Sequence, residues 1–323
     1  AHFIIKAVIS LPKNAFVKAQ GSVSTSVLYL RKKADLNEAQ PEILMALCGN
    51  VGHSDSGKER PQLNELPMIL DAFRIYEDTG RLPTSPPTIF LVHDVLTDNP
   101  TIRLDAKYFN PRYFATMHTL DALAKVRDWR VVPLASLLKT DKDALTGGAT
   151  PLGASYPDEG PKFIRVQNVH PNLLLWNPEE DPCIDTRTHH NLLKRSQLRE
   201  NDVVFTITGS YGMAAVVPSG FGEANINQHC VRLALNDQVV PQYLSVFLNS
   251  GLCRPQVDRA ATGSSRLALD YKSIRELQVL LPVDKNEQQR IADGVLTQLT
   301  HATGLRQQAE LIEMEISKAL DGP

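Results

Sequence analysis

The stretch that most constrains the fold runs from Glu200 to Leu233, ENDVVFTITGSYGMAAVVPSGFGEANINQHCVRL. Val203-Val204-Phe205-Thr206-Ile207 and Ala214-Ala215-Val216-Val217 are short β-rich runs, and Thr208-Gly209-Ser210-Tyr211-Gly212 between them holds the glycines of a tight connection. This pattern predicts a hairpin whose tip displays hydroxyls. Asn225-Ile226-Asn227-Gln228-His229 then leads, through side chains that both donate and accept hydrogen bonds, into a further strand from Cys230 to Leu235. Such a surface suits reading hydrogen-bond patterns better than making bonds.

A chain of 323 residues, 42% hydrophobic and 22% charged, can bury a sizeable core and has the length of about two domains. Its formal net charge is −2, and between Asp105 and Pro282 there are 19 Lys and Arg against 18 Asp and Glu, so overall charge does not announce a nucleic-acid partner. Cys48, Cys183, Cys230 and Cys253 form no C-x-x-C pair and have no zinc-type spacing with histidine. Free thiols in a reducing compartment, the cytoplasm, are therefore expected. The apolar run Phe3 to Leu11 is too short to span a bilayer, and no membrane association is expected. Ala1 in place of an initiator Met suggests a piece of a longer chain.

Phe3–Leu11 and Val23–Arg31 read as strands, and Leu63–Glu77 as an amphipathic helix with Leu66, Ile69, Leu70 and Phe73 on one side, stopped by Gly80. A proline-rich connection, Arg81 to Pro87, precedes a strand from Thr88 to Val95. The domain seam is placed between Leu96 and Leu104. Tyr113–Arg127 and Pro241–Ser250 read as helices, and Phe163-Ile164-Arg165-Val166 as a strand. From about Asn286 to Leu320, Gln288, Ile291, Val295, Gln298, Ala302, Leu305, Ala309, Ile312, Ile316 and Ala319 alternate steps of three and four, the seam of a coiled coil.

Four ordered motifs carry a resemblance: L-x-x-x-D-V-V-F-T-x-x-G-S-x-G from Leu198, N-I-N-Q-H from Asn225, P-Q-Y-L-S-V-F-L-N-S from Pro241, and L-x-V-L-L-P-V-x-x-N-E-Q-Q-R-I-A from Leu277. Together they resemble the target-recognition domain of specificity subunits in type I restriction-modification systems, from roughly Asp105 onward. AVISLPKNAFVKAQGSVSTSVLYLRKK and ILMALCGNVGHSDSGKERPQLNELPMILDAF, up to about Gly80, resemble the closing segment of the catalytic domain of adenine (amino group) DNA methyltransferases. The donor-binding glycine turn and the Asn/Asp-Pro-Pro-Tyr/Phe loop of such enzymes do not occur. Asn110-Pro111-Arg112-Tyr113 is the nearest string, with Arg112 where a proline belongs.

The resemblance implies an α+β fold in three parts. Residues 1–100 would be a small α/β remnant of a methyltransferase domain, 101–282 a mixed-sheet target-recognition domain, and 283–323 a long coiled-coil-type helix for dimerisation or spacing. The implied function is sequence-specific recognition of double-stranded DNA, directing methylation or cleavage by associated methyltransferase and restriction subunits or domains. The alternative is the C-terminal fragment of a fused single-chain methyltransferase-restriction enzyme. No cofactor is expected in this chain, while S-adenosylmethionine is expected for the parent enzyme or partner subunit.

Candidate DNA-binding residues are Thr146, Thr150, Lys162, Arg165, Gln167, Asn168, Thr208, Ser210, Tyr211, Asn227, Gln228, Arg259, Ser264, Ser265 and Arg266. Thr146-Gly147-Gly148-Ala149-Thr150 is either a phosphate cradle of backbone N–H groups and hydroxyls or a plain β-connection. Arg165, Gln167 and Asn168 are either base-edge readers or solvated polar groups on an outer strand face. Arg254, Arg259 and Arg266, beside small hydroxyl residues, suit phosphate contact or form an ordinary basic loop. His189-His190 has no acidic or Cys partner at metal-ligand spacing and reads as ordinary histidines, so no metal is expected; the run Glu179-Glu180-Asp181 reads as a solvated loop. With no catalytic motif in place, the purified chain is expected not to methylate DNA; radiolabelled transfer from S-adenosylmethionine above background would refute this.

Overall fold

The computed structural model describes residues 2–84, 86, 88–93, 95, 99, 103–151, 153, 156–263 and 266–320, with side chains at only some positions of the last helix beyond residue 302. The expected seam at Leu96–Leu104 falls largely outside the described residues. The chain divides into two compact units, one of residues 1–119 with 255–270, the other of residues 120–254 with 271–323. It is a mixed α+β fold with open sheets and a long C-terminal helix.

The first unit is built on β1 (Phe3–Leu11), β2 (Thr25–Lys32), β3 (Ile43–Leu47), α1 (Leu66–Thr79) and β4 (Ile89–Val92). The strands form one sheet in the order β2-β1-β3-β4, in which β1 and β3 run parallel and the other pairs antiparallel. Ala7, Leu44, Ala46 and Ile89 pack with Ile69 and Ala72 of α1, and Leu66 and Phe73 pack partly against them as the helical spacing predicts, whereas Leu70 is exposed. The opposite sheet face buries Val8, Ile43, Met45 and Phe90 with Ala106 and Phe109. The edge strand β2 leaves Val27, Leu28, Tyr29 and Leu30 exposed.

Next comes α2 (Pro111–Arg127), which starts with Pro111 in the first turn. The Asn110 side-chain oxygen accepts from the Arg112 N–H at 3.0 Å. The Asn-Pro-Arg-Tyr string is thus a helix start.

The second unit contains β5 (Arg130–Pro133), β6 (Leu145–Gly147), β7 (Lys162–Ile164), β8 (Val169–His170), β9 (Leu173–Leu174), β10 (Val203–Thr206), β11 (Ala214–Val216), β12 (Ala224–Ile226) and β13 (Cys230–Leu233). Then follow α3 (Pro241–Leu248), α4 (Arg254–Ala260), α5 (Tyr271–Glu276), β14 (Gln278–Leu281) and α6 (Lys285–Leu320). The α4 helix begins the segment 255–270 that belongs to the first unit.

The central sheet of the second unit is antiparallel, in the order β11-β10-β13-β6, and the expected hairpin is β10–β11 with Val203 opposite Val216. Every residue of β10 is buried, so both faces of this short apolar run are covered. Polar residues at its ends are satisfied locally: an Asp202 carboxylate oxygen accepts from Arg199 N–H at 2.8 Å. The Thr206 hydroxyl donates to the Ser210 carbonyl at 2.7 Å and accepts from Met213 N–H at 2.9 Å. Gly209 and Gly212 in the tip have φ of 72° and 84°, the left-handed region that the sharp turn requires. All four cysteines are free and buried.

The first turns of α6 pack on their own unit, next to α3. Gln288, at the head of the heptad pattern, is fully buried there: its oxygen accepts from Val240 N–H at 2.7 Å and its amide donates to the carbonyls of Pro282 at 2.8 Å and Gln238 at 3.1 Å. Farther along, Leu305 and Ile312 are exposed. Replacing Gln288 by Ala would strand the buried Pro282 carbonyl and remove the partners of two part-buried backbone groups, and a loss of about 1–3 kcal/mol is expected, read as a lower urea midpoint. An unchanged midpoint would refute this anchoring role.

Candidate nucleic-acid interface

Three loops of the second unit meet at one surface. The turn after β6 lies against the backbone that leaves β12, so closely that a β-carbon on Gly148 would fall 1.9 Å from the Ile226 carbonyl oxygen. That contact places Thr150 beside Gln228, and its hydroxyl donates to the Gln228 amide oxygen. The Gln228 amide nitrogen in turn lies 3.2 Å from His229 Nε2, and His229 Nδ1 bonds the Thr208 hydroxyl of the hairpin tip. Because the amide nitrogen can only donate, His229 Nε2 is the acceptor and Nδ1–H donates to Thr208. This chain of contacts fixes Gln228 while leaving one N–H and one lone pair of its exposed amide unused.

Of the other expected residues on these loops, Ser210 is exposed at the tip and Tyr211 is half-buried under the Arg254 guanidinium, 5.0 Å from the ring centroid. Asn227 is buried and its side-chain oxygen accepts from His229 N–H at 3.0 Å. Thr146 is also buried and donates to the Asp143 carbonyl at 2.8 Å. These two shape the loops from beneath. His229, at the centre of the surface, was not among the expected residues; its place in the N-I-N-Q-H run was the available signal.

Arg165 and Asn168 form an internal network. Arg165 Nη2 contacts Asp181 Oδ1 at 2.9 Å, and the Asn168 amide donates to Asp181 Oδ2 at 2.6 Å. The same carboxylate accepts from Asn177 N–H at 2.9 Å. Asp181 is therefore a buried acceptor within the acidic run that sequence alone assigns to a solvated loop. Gln167, between the two, is exposed. The Lys162 ammonium donates to the Phe221 carbonyl and sits 4.2 Å and 5.2 Å from the ring centroids of Phe221 and Trp176.

A second feature, not anticipated from sequence, is a basic concavity of about 390 Å³ in the same unit. Lys139, Lys142, Lys194, Arg195, Arg199 and Arg232 line it, against Asp141, Asp143 and Asp202. Arg232 is mostly committed to the protein, donating to the carbonyls of Gln197 at 2.8 Å and Asp143 at 2.9 Å. Burial pushes the Asp202 carboxyl above its ordinary pKa, against the Arg199 N–H bond and the positive charge of Arg232.

Residues 255–270 belong to the first unit. There the Arg259 guanidinium lies 3.9 Å and 4.1 Å from the ring centroids of Tyr108 and Tyr113, a cation–π contact. Arg266 is exposed, whereas Ser264 and Ser265 lie outside the described residues. The first unit also holds a cavity of about 660 Å³ lined in part by Ser10, Ser24, Thr25, Ser26 and the paired Arg103 and Asp105.

Glu223 lies beside His189 and His190, which have no acidic neighbour in sequence. No described helix is long and apolar enough to cross a membrane.

No family model matches this sequence. The Escherichia coli type I restriction enzyme EcoBI specificity subunit is 25% identical over 259 residues, covering 79% of this chain and 48% of that protein. The chain thus spans about half the length of the curated relative it matches. Among solved structures, the type I restriction-modification S subunit from M. genitalium aligns with a TM-score of 0.37 and 18% identity, covering 58% of this chain and 42% of that one. The type IIG restriction endonuclease BpuSI aligns with a TM-score of 0.43 and 10% identity, covering 91% of this chain and 39% of that one.

Burial raises the Asp181 carboxyl pKa, but the hydrogen bonds from Asn177, Asn168 and Arg165 outweigh it and hold the carboxyl below its ordinary value. The folded-state pKa is thus lower than the unfolded one, so this stabilisation is present above the unfolded value and lost as pH falls through the folded one. Asp181→Asn is expected to lower the melting temperature at neutral pH, with the gap to wild type closing below about pH 4. Thermal melts across acid pH check this; a gap that stays constant would refute it.

Proposed function

The chain carries a domain like that of type I restriction-modification specificity subunits, and from this premise we propose that it recognises double-stranded DNA by sequence. The observation that carries the reading is Gln228. Its amide, held by Thr150 and His229, keeps one donor and one acceptor side by side, the complement of adenine N6 and N7 in the major groove. Ser210 and Thr208 of the hairpin tip would supplement this contact. Phosphates would be met by the basic concavity around Lys194 and Arg195, which positions the duplex without reading it.

The recognition module would serve methyltransferase and restriction subunits in the cytoplasm, with S-adenosylmethionine bound by the methyltransferase partner and not by this chain. Exposed Leu305 and Ile312 on α6 support a paired helix. At 1.5 Å per residue this helix extends roughly 50 Å, so a second copy or a partner subunit docked along it would hold recognition domains apart.

A specific observation favours a second reading, the C-terminal part of a fused methyltransferase-restriction enzyme. The edge strand β2 exposes Val27, Leu28, Tyr29 and Leu30 in succession, a surface that further protein would cover. An in-frame donor-binding glycine turn and Asn-Pro-Pro-type loop upstream of Ala1 in the genome would establish it.

Selection from a random DNA pool at low salt, followed by sequencing, is expected to enrich a defined motif. Gln228→Ala should flatten preference at one A·T position, a change of about 1–3 kcal/mol in discrimination. Lys194→Ala or Arg195→Ala should weaken all DNA alike and lower the salt slope by about one each. No enrichment by the wild-type chain would overturn the proposal, and equal effects of both classes on specific and random DNA would overturn the division of roles.

A further inference from the structure

The five-residue π-helical turn Thr188–Leu192 brings adjacent histidines together, with ring centroids 4.7 Å apart. In most extended or helical backbones neighbouring side chains diverge, but the widened turn lets both rings approach one carboxylate. His189 Nε2 lies 3.6 Å and His190 Nε2 3.9 Å from Glu223 Oε1, at the entrance to β12. His189 is buried, while His190 and Glu223 face solvent.

The protonation of His189 follows from its neighbours. The Asn225 amide nitrogen donates to the Leu193 carbonyl at 2.9 Å and to the Ser196 hydroxyl at 3.1 Å. Since a carbonyl can only accept, the Asn225 oxygen is the atom facing His189 Nδ1, and it too only accepts. Nδ1 therefore carries a proton, and Nε2 of the neutral ring turns a lone pair toward the Glu223 carboxylate. With Nδ1 committed to Asn225, the Nε2 that faces the Glu223 carboxylate at 3.6 Å is the atom left to meet a proton or a metal cation. An N–H donated to a side-chain oxygen is also the outer support that metal-bound histidines use to hold tautomer and ring direction.

We propose that His189 Nε2, His190 Nε2 and a Glu223 oxygen form a binding site for a zinc-class divalent ion. Around one tetrahedral ion with bonds near 2.0 Å, ligand atoms lie about 3.3 Å apart. The three ligand atoms lie within 4.8 Å of one another, so the set must close on the ion, a movement that exposed Glu223 and His190 can supply. Two imidazoles favour zinc, nickel or cobalt over magnesium and calcium, and three protein ligands leave a position for water. The ion would join the π-turn to the start of β12, whose far end leads into Asn227, Gln228 and His229. It would act as a brace on the loop that carries them. The site stands on its own geometry and does not depend on the DNA reading.

The test is isothermal titration of the full chain with zinc chloride, using protein stripped with chelator and free of any histidine tag. Saturable binding of one zinc per chain is expected, with none for magnesium. His190→Ala and Glu223→Gln, both at exposed side chains, should each weaken it at least tenfold with the circular dichroism spectrum unchanged. Zinc should raise the melting temperature of the wild-type chain and not that of Glu223→Gln. Absence of saturable zinc binding by the folded wild-type chain would overturn the site. Binding that both variants retain at full strength would overturn it equally, by placing the ion elsewhere.

Discussion

Burial of β10 on both faces is the constraint from which the second unit grows. A four-residue strand with no exposed side chain needs a neighbour on each edge and apolar cover above and below. β11 and β13 supply the edges, and Ile164, Val169, Leu198 and Ile226 are part of the cover. A short strand so enclosed cannot slip register without driving Thr206 or Asp202 into apolar surroundings with their hydrogen bonds broken. The hairpin tip is thereby fixed in space. Its hydroxyls are held close to the His229 ring, which arrives on the adjacent connection.

Several cations of this protein are engaged by its own groups. Arg165 is held by Asp181, Lys162 between Phe221 and Trp176, Arg232 by two carbonyls, and Arg259 against two tyrosines. Each contact compensates part of the cost of removing a cation from water. Two arginines attractive as ligand-binding groups on sequence grounds, Arg165 and Arg259, thus make contacts within the fold. The basic surface is formed instead by lysines and arginines around residues 139–142 and 194–199, segments far apart in the chain. A near-neutral total conceals this concavity because acidic residues elsewhere balance the count.

Local pattern was enough to determine the hairpin at residues 203–216, the helices near residues 66–79 and 241–248, and the long final helix. In each, hydrophobic periodicity and a glycine or proline at the end act over a few residues, which is the range over which backbone preferences operate. The α4 helix, seven residues long and within a stretch read as a loop, was too short to show a period. The resemblance in the recognition motifs was also legible, because Asp202, Thr206, Gly209 and Gly212 each serve a backbone requirement of one hairpin. What only the tertiary structure decided was which polar groups remain available. Asp181 reaches Arg165, Glu223 reaches His189, and Thr150 reaches Gln228 across separations that sequence spacing does not encode. The direction of a side chain depends on the backbone beneath it and the neighbours packed against it, so its partner is chosen only when the loops meet.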